Sequence, residues 1–595
     1  DDYDQWKRAS KAKVGTAPGS FEVLPGFKAE LLRSAGKEEN SWVSLAFDPD
    51  DRLTIAREDK GLIRYTFSRD RRKIIRAESI NDDLKECRGL LYAHDSLYVH
   101  ANNSKGLYRL RDTNGDDQFD EKKLLHASVG GVGHGRNDLA LGPKGKIYAI
   151  HGDSVNLPKG IPDRTSPLRQ KFQPFRNNEG HVLRMDPDGG NKEIFCAGMR
   201  NPYGIAFNAD GEAFTYDADA EFDMGTPWYR HTQVKHLTSG ADFGWRAVTG
   251  SWPSYFPDHP DNTQATLDIG KGSPTGVKFG SRSNFPPDYQ KALYILDWTY
   301  GRILAVHLRP RGSTYMGAAE VFLRGQPLNV TDLGFGPDGA MYFVTGGRKT
   351  KSALYRVSYT GPRIKAPPLT KAQGNRAKQA KNFRKERKKA ESHHRQAKFT
   401  FKPKHTEPRI RHAWRIALEH NQLTSPKEDT PNFESLSAQA NINSAAGKAN
   451  VTLMENWTKF LPSEELAYLD LIRRNMARHE LPPKTLKAIQ SNLEPHFPSP
   501  SHEINLAIAP LLIRLNPAKA VGQTVKLLDA STSQRERIYY LYHLRHAREG
   551  WTPESRRVFF RILGTYDTFL GGRGLPQSLG KIRADSEATL SDVEK

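Results

Sequence analysis

The sequence has very few cysteines and no long hydrophobic run. Only Cys87 and Cys196 occur in 595 residues, and no CxxC motif is present. Thiolate metal sites and covalently attached haem are therefore excluded on this chain. The two cysteines leave open either one disulfide or two buried thiols. No segment approaches the roughly 18 apolar residues that a membrane-spanning helix needs, so no transmembrane segment is predicted.

The chain is strongly basic. It holds 89 Lys and Arg against 68 Asp and Glu, a formal net charge of +21. Such an excess indicates an anionic partner, with nucleic acid, anionic polysaccharide and an acidic membrane surface as the classes to weigh. The opening DDYDQWKR lacks Met and any apolar segment, which suggests a mature form after removal of an export signal. We therefore expect a periplasmic or secreted location.

A strand-turn-strand pattern recurs six times before residue 360. The copies centre on Phe47, Tyr92, Leu141, Phe207, Phe279 and Phe335, for example YGIAFNADGEAFTYD and TDLGFGPDGAMYFVTGG. Each copy supplies only a few strands and half a core, so neighbouring copies must pack together, and radial closure protects the strand edges. The sequence predicts a mainly β fold: a six-bladed β-propeller over residues 21–360, after an N-terminal extension at 1–20.

The composition changes after residue 360. Residues 361–408 are predicted to be a basic linker; the segment 371–404 carries thirteen Lys or Arg against two Glu. Either it only spaces two domains or it binds anions. Residues 409–595 show apolar positions at helical spacing, separated by Pro, Ser and Asn, which predicts an α-helical, HEAT-like domain with a scaffold or docking role.

Two acidic patterns are candidate metal sites. The loop DTNGDDQFDE has oxygen-bearing side chains at alternate positions, as a calcium loop does, although Asp117 replaces the usual Gly; the alternative is a plain acidic turn. The second pattern follows Arg200 and Asn201, where acids occupy every second position and would share one side of an extended chain. The candidate ligands are Asp112, Asn114, Asp116, Gln118, Asp120 and Glu121 in the first pattern, and Asp217, Asp219 and Asp223, beside Glu221, in the second.

His134 and Asp153 form the candidate catalytic pair. His134 lies in a Gly-rich approach to a strand, and Asp153 stands at the end of the next strand, so both are expected at the same end of one blade. A neutral His beside a carboxylate can act as general base on a sugar hydroxyl. The alternative is a His that only bonds loop backbone.

These residues carry a resemblance. His134, the following Gly-Pro, Gly152-Asp153, GMRNPYGIAF and SGADFGWRAVTG resemble the soluble quinoprotein glucose and sorbosone dehydrogenases. The motifs GSPTGVKF, DWTYGRI and GPDGAMYFVTGGR look closer still to a large planctomycete group of membrane-bound dehydrogenases, in which a propeller precedes helical repeats and often a haem domain. The resemblance implies a six-bladed propeller that binds pyrroloquinoline quinone and calcium.

The resemblance also implies roles. His134 corresponds to the catalytic base, Asp153 to its orienting acid, and Arg200 with Asn201 to a cofactor-facing pair. The family's Lys in the fifth blade and its Arg pair before the sixth are replaced here by DWTYGR and PLNVTD. Cationic partners for the quinone would then come from Arg302, Arg324 or Arg348. Because the sequence shows no haem domain, an external electron acceptor such as a cytochrome is expected.

Three functions compete on these grounds. The first is an exported dehydrogenase that oxidises a sugar hydroxyl. The second is a cofactor-free lyase or hydrolase of anionic or sulfated polysaccharide, in which Arg200 neutralises a carboxylate and His134 or Tyr229 moves the proton. The third is a non-catalytic glycan- or protein-binding scaffold. Nucleic acid is disfavoured because the basic segment lacks interleaved aromatics. Candidate substrate contacts are Arg136, Trp228, Tyr229, Arg230 and His231, with Lys235 and Arg246 as further basic groups.

Overall fold

The structure, a computed structural model, describes residues 4–167, 178–246, 252–253, 262–394, 407–421, 437–438, 462–478 and 480–594. Within these ranges the chain forms six antiparallel sheets arranged as a β-propeller, followed by a helical region. This confirms the fold class predicted from the six repeats and from the helical periodicity near the C-terminus.

Each blade is built from consecutive strands that run from the centre of the propeller outward. Blade one comprises β3 to β6, blade two β7 to β10, blade three β11 to β14, blade four β15 to β18, blade five β19 to β22 and blade six β23 to β25. In chain order the strands are β1 (Glu22–Val23), β2 (Phe27–Ser34), β3 (Trp42–Phe47), β4 (Leu53–Arg57), β5 (Lys60–Phe67), β6 (Ile74–Lys85), β7 (Cys87–Ala93), β8 (Ser96–Ala101), β9 (Gly106–Arg111), β10 (Glu121–Ala127), β11 (Arg136–Leu141), β12 (Ile147–His151), β13 (Gly180–Met185), β14 (Glu193–Met199), β15 (Ile205–Phe207), β16 (Ala213–Asp217), β17 (Thr232–Leu237), β18 (Leu267–Gly270), β19 (Pro274–Phe279), β20 (Leu293–Asp297), β21 (Arg302–Arg311), β22 (Thr314–Arg324), β23 (Val330–Phe335), β24 (Met341–Thr345) and β25 (Ala353–Tyr359).

The N-terminal strands close the ring. β2 pairs antiparallel with β25 from Phe27 opposite Tyr359 to Ser34 opposite Ala353, and so becomes the outer strand of blade six. β1 adds a fifth strand to blade five by pairing with β22. The innermost strand of every blade contacts the innermost strands of both neighbouring blades. Closure leaves no free inner edge, which satisfies the backbone groups that an open array would expose.

The hydrophobic core lies between neighbouring blades. One cluster joins Tyr98 and Leu107 of blade two to Ile147 and Leu183 of blade three. Because each sheet is apolar on both faces, a blade is stable only between two others, as the repeat argument requires. The two cysteines are buried free thiols in different clusters, so they do not form a disulfide.

Local turn chemistry explains the hairpin after Phe207. Asn208 Oδ1 accepts the backbone N–H groups of Asp210 and Glu212, and Gly211 takes the positive φ of 68° that closes the turn. Asn at the start and Gly at the left-handed position are the residues such a turn requires. The predicted hairpin is therefore present.

Short and long helices flank and follow the propeller. Ser501, Ser533 and Thr552 begin three of them, each accepting a backbone N–H as an N-cap. No described helix is long and apolar enough to cross a membrane. The described helices are α1 (Gln5–Ala9), α2 (Pro287–Lys291), α3 (Lys371–Ser392), α4 (Pro408–Asn421), α5 (Pro462–Arg478), α6 (Pro483–Leu493), α7 (His502–Leu515), α8 (Pro517–Ala530), α9 (Gln534–Leu544), α10 (Pro553–Leu563) and α11 (Leu575–Glu587).

Helix α3 occupies part of the segment assigned to a linker, and it packs on the propeller through charged side chains. Arg387 lies 2.5 Å from Glu212 and donates to the Ser313 carbonyl, and Arg384 pairs with Asp210 at 2.9 Å. Basic residues thus replace an apolar face as the means of docking. Residues 395–404 of the basic segment lie outside the described residues.

Candidate active site

A central cavity opens on one face of the propeller. Its volume is about 810 Å³, within the range of ligand pockets. The walls come from the loops that enter the inner strands and from the loops between the second and third strands of the blades. Every blade contributes, for example Glu58 in blade one, His134 before blade three and Arg348 in blade six. Arg573 of the helical domain also lines the cavity.

His134 and Asp153 are in contact at this cavity. Asp153 Oδ1 lies 2.7 Å from His134 Nδ1, and Asp153 Oδ2 accepts a hydrogen bond of 2.8 Å from Trp245 Nε1. Since the carboxylate accepts from both rings, His134 carries its proton on Nδ1 and leaves Nε2 as a lone-pair nitrogen. Within the described part of the chain, Nε2 has no hydrogen-bond partner.

Close backbone packing sets this geometry. Gly152 N donates to the Gly135 carbonyl, and Ser154 N donates to the His134 carbonyl. A Cβ on Gly152 would lie 2.8 Å from His134 and 2.7 Å from Asn201 Oδ1. Only glycine permits this approach, so the Gly152-Asp153 step brings the carboxylate under the imidazole.

Trp245 reaches Asp153 by an unusual route. After β17 the chain turns back and runs beside β14: Phe243 N donates to the Ala197 carbonyl and Trp245 N to the Gly198 carbonyl. This parallel extension of blade three carries the indole up to Asp153. The sequence reasoning missed the role of Trp245, because nothing in the motif SGADFGWR indicates pairing with blade three.

Arg200 and Asn201 also line the cavity, as predicted. Asp217 anchors their backbone, accepting from Asn201 N at 2.8 Å and from Arg200 N at 3.3 Å. The Arg200 guanidinium donates to the Asp219 carbonyl and lies 3.7 Å from a Glu221 carboxylate oxygen. Its position therefore depends on the chain that follows β16.

The predicted one-sided acidic row does not exist. β16 ends at Asp217, and Glu221–Asp223 form a 3₁₀ turn, so the alternation of an extended chain is lost. Asp217 is buried and neutralised by Lys235 at 2.5 Å. Asp219 accepts a hydrogen bond from the Tyr229 hydroxyl, and burial raises the pKa of Asp219 to about 6. Asp217 and Asp219 thus have structural partners, and the metal ligands named for this stretch stay a prediction.

The loop 112–121 is organised by its own backbone. Asp112 accepts from the N–H groups of Gly115 and Asp117, and Asp116 accepts from Gln118 N. Asp117 pairs with Arg52 and Arg64 on blade one. Across the described residues, no group of three or more His, Cys, Asp and Glu side chains is placed to hold a metal ion. The calcium ligands named for this loop stay a prediction.

None of the five predicted substrate contacts lines the cavity, including Tyr229, which donates to Asp219. Arg136 is fully buried and donates to the Ser128 hydroxyl and carbonyl and to the Gly131 carbonyl; burial lowers its pKa to about 10. Trp228 packs on Tyr542 of the helical domain. The remaining two, Arg230 and His231, lie near Tyr229 outside the cavity walls.

Two further basic side chains, Lys235 and Arg246, and the cofactor candidate Arg302 pair with carboxylates. Lys235 pairs with Asp217. Arg246 pairs with Glu179 and Asp242. Arg302 donates to Asp297, whose position at the end of β20 repeats that of Asp217 at the end of β16, and it is absent from the cavity walls. Its guanidinium neutralises a buried carboxylate, and the assignment of Arg302 to cofactor binding stays a prediction.

Arg348 does line the cavity, beside residues that the sequence reasoning missed. Its guanidinium lies 5.0 Å from the Trp298 ring centroid and 6.0 Å from that of Trp6. Lys271, just before β19, and Arg573 share the same walls. Arg348, Lys271 and Arg573 have no acidic partner among the described residues. Lys271 and Arg573 belong to no motif quoted above, so only the fold brings the three cations to one cavity.

Comparison with known proteins gives one family model and several solved structures. Residues 76–350 match a domain of unknown function, DUF7133. No curated protein matches the chain.

Three solved structures illustrate the likeness in fold. A Thermus thermophilus oxidoreductase described as a glucose dehydrogenase is 20% identical, with 56% of this chain and 99% of that chain covered and a TM-score of 0.42. The PQQ-bound aldose sugar dehydrogenase of Streptomyces coelicolor is 16% identical, with 57% and 100% covered and a TM-score of 0.41. The holo PQQ domain of Coprinopsis cinerea pyranose dehydrogenase is 13% identical, with 58% and 98% covered and a TM-score of 0.43. At such low identity, the likeness of this chain to quinoprotein sugar dehydrogenases lies in the propeller fold.

Proposed function

We propose that this protein is an exported dehydrogenase that oxidises a sugar hydroxyl in the central cavity. The observation that carries the proposal is the hydrogen-bonded row His134, Asp153 and Trp245, with the Nε2 of His134 left for substrate. Other polar groups of the row are paired, so Nε2 is the site of proton transfer.

His134 acts as the general base. Nε2 accepts the proton of the substrate hydroxyl while the adjacent C–H bond breaks, so that the carbon loses a hydride and a carbonyl forms. The Asp153 carboxylate holds the ring by Nδ1 and stabilises the positive charge that develops on it. Trp245 in turn keeps Asp153 in place through its second oxygen.

A hydride acceptor is required, and the cavity suits an anionic one. Pyrroloquinoline quinone, when bound, supplies a two-electron acceptor and carries several carboxylates. Arg200, Asn201 and Arg348 line the cavity, and Lys271 adds a cation that the sequence reasoning did not assign. Arg200, Asn201 and Arg348 would hold the quinone, because Arg348, a cation without an acidic partner in the described chain, favours carboxylates. An external acceptor such as a cytochrome would then reoxidise it.

Reconstitution tests the proposal. The protein is loaded with pyrroloquinoline quinone and calcium, and dye reduction is followed over a panel of sugars. We expect turnover that falls by about two to four orders of magnitude in His134→Asn. His231→Asn is the matched control, because His231 is an exposed histidine outside the cavity walls. Absence of any turnover and of any absorbance change on loading would refute the proposal.

The same cavity supports a second candidate. Lys271, Arg348 and Arg573 have no acidic partner in the described chain, which favours a negatively charged polysaccharide and keeps a cofactor-free lyase or hydrolase in consideration. His134 would serve as its base, whereas Tyr229 is occupied by Asp219. Incubation with uronate polysaccharides, assayed for unsaturated products and for reducing ends without quinone, separates this activity from oxidation. Binding without turnover in either assay would favour a non-catalytic glycan-binding scaffold.

A further inference from the structure

The helical domain reaches into the cavity through a short glycine-rich loop. Residues 570–574 precede α11 and run along the blade-four turn that follows β16. Gly572 N donates to the Met224 carbonyl at 2.8 Å, and Gly574 N donates to the Phe222 carbonyl at 2.9 Å. Arg573, between these two anchors, lines the cavity. Its backbone is therefore fixed on both sides by the propeller.

The sequence of this loop is suited to close backbone contact. A Cβ on Gly571 would lie 2.1 Å from the Met224 carbonyl oxygen, and a Cβ on Gly572 would lie 2.1 Å from that of Glu221. Real Cβ atoms do not approach backbone oxygens so closely, so both positions require glycine. The Gly-Gly-Arg-Gly segment thus packs closely on the blade-four turn, and Arg573 is its one charged side chain.

Contacts behind the loop hold it in place. Gln534 at the start of α9 donates to the Gly225 and Leu570 carbonyls and accepts from Leu570 N. A shared hydrophobic cluster joins Trp228 and Trp245 of the propeller to helices α8 to α11. The helical domain is packed on blade four and is not a separate appendage.

Arg573 differs from Arg88 and Arg200, the two basic residues of the cavity walls that have acidic partners. Arg88 pairs with Glu86 at 2.6 Å, and Arg200 lies near Glu221. Arg573 and Lys271 are both exposed and have no acidic partner within the described residues. These two solvent-facing cations line the same cavity and favour a negatively charged ligand there.

We propose that the helical domain completes the substrate site, and that Arg573 with Lys271 binds the negative group of an anionic sugar, a carboxylate or a sulfate ester. The inference rests on the proposed function for the placement of the sugar in the cavity. It gives the helical domain a role in specificity: the propeller supplies the base, and the loop 570–574 selects charged sugars. The geometry of Arg573 suits either acid group, because a guanidinium donates two parallel hydrogen bonds to carboxylate or sulfate oxygens.

The test is direct binding, which needs neither quinone nor turnover. D-glucuronate, D-glucose 6-sulfate and D-glucose are titrated into the full chain by calorimetry. We expect both charged sugars, or one of them, to bind more tightly than glucose. Arg573→Gln should weaken charged-sugar binding about three- to tenfold, as for a partly exposed ion pair, and leave glucose unchanged. Arg573→Lys should keep most of the affinity because it keeps the charge.

Arg557→Gln is the matched control. Arg557 is an exposed arginine of α10 that does not line the cavity, so its removal changes net charge equally without touching the site. The preference between glucuronate and the sulfate ester identifies the acid group.

The outcomes separate this inference from the proposed function. Charge preference that depends on Arg573, with no oxidation after reconstitution, would leave the inference standing and refute the dehydrogenase. Oxidation together with equal binding of glucose and both charged sugars would support the dehydrogenase and refute the inference. Equal effects of Arg573→Gln and Arg557→Gln, or no binding of either charged sugar at millimolar concentration, would overturn the inference.

Discussion

Replacing Asp153 by Asn tests the catalytic row most directly. Two ring N–H groups, from His134 and Trp245, donate to the two carboxylate oxygens at 2.7 and 2.8 Å. Asn offers one acceptor and one donor, so its NH₂ must face one of them. If it faces His134, the imidazole turns to the tautomer with hydrogen on Nε2 and loses its basic lone pair. If it faces Trp245, a buried indole N–H loses this acceptor, at a cost of about 1–3 kcal/mol.

Both arrangements predict a catalytic loss: the first removes the basic lone pair, and the second removes the carboxylate charge that stabilises the imidazolium. We expect kcat/KM of Asp153→Asn to fall by about two to four orders of magnitude, the usual contribution of a general base. Because His134 and Asp153 act as a unit, the double variant with His134→Asn should be about as inactive as His134→Asn alone. The assay is dye-linked oxidation by the reconstituted protein, with urea unfolding measured in parallel.

Asp48→Asn is the control for burying an amide. Asp48 is a buried aspartate in the hairpin after β3, where it pairs with Arg52, and it does not line the cavity. The control variant should have a lower free energy of unfolding without a selective loss of kcat/KM. Retention by Asp153→Asn of more than about a third of wild-type kcat/KM, or additive effects in the double variant, would refute the reasoning.

Three further predictions concern packing and pH. Gly572→Ala places a Cβ 2.1 Å from the Glu221 carbonyl oxygen, so the substitution should displace the loop. Calorimetry should then show glucuronate binding weakened as much as in Arg573→Gln. Unchanged glucuronate binding would contradict this prediction. Arg387→Ala leaves Glu212 with fewer buried partners and should destabilise the protein by about 3 kcal/mol, read from the urea midpoint; a neutral effect would show that α3 docks by other contacts. Burial lowers the pKa of His236 to about 4, so the folded state binds a proton less readily than the unfolded state. Stability should fall as the pH drops from 6.5 towards 4, by about 1.4 kcal/mol per pH unit for this group, and an equal urea midpoint at about pH 7 and about pH 5 would contradict this.

The propeller was predictable because its signals are local and repeated. Asn208 and Gly211 mark one hairpin, and two apolar strands that pair with each other return in every blade. A repeat that buries its apolar faces only against neighbours has few ways to close. The pairing of β2 with β25 follows from the same logic, since a ring needs its ends joined.

The catalytic pair was predictable for a related reason. His134 and Asp153 belong to consecutive loops of one blade, so strand lengths alone bring them to the same end. Arg348, one of the three arginines named as cationic partners of the quinone, also lines the cavity. In contrast, Arg136 is a basic residue of suitable spacing whose side chain is buried by loop carbonyls. Spacing along the chain does not distinguish a cation that faces ligand from one that satisfies the backbone.

The sequence by itself determined the six-bladed ring, the helical region after it, and the meeting of His134 with Asp153, because each depends on short-range periodicity. Only the tertiary structure decided that Trp245 supports Asp153, that Lys271 and Arg348 share a cavity, and that Arg573 arrives there from the helical domain. These contacts join residues far apart in the chain, and their energies depend on burial and on charge partners that no local pattern encodes. The same physics makes Asp217, one of the acids of the second metal pattern, the backbone anchor of Arg200 and Asn201.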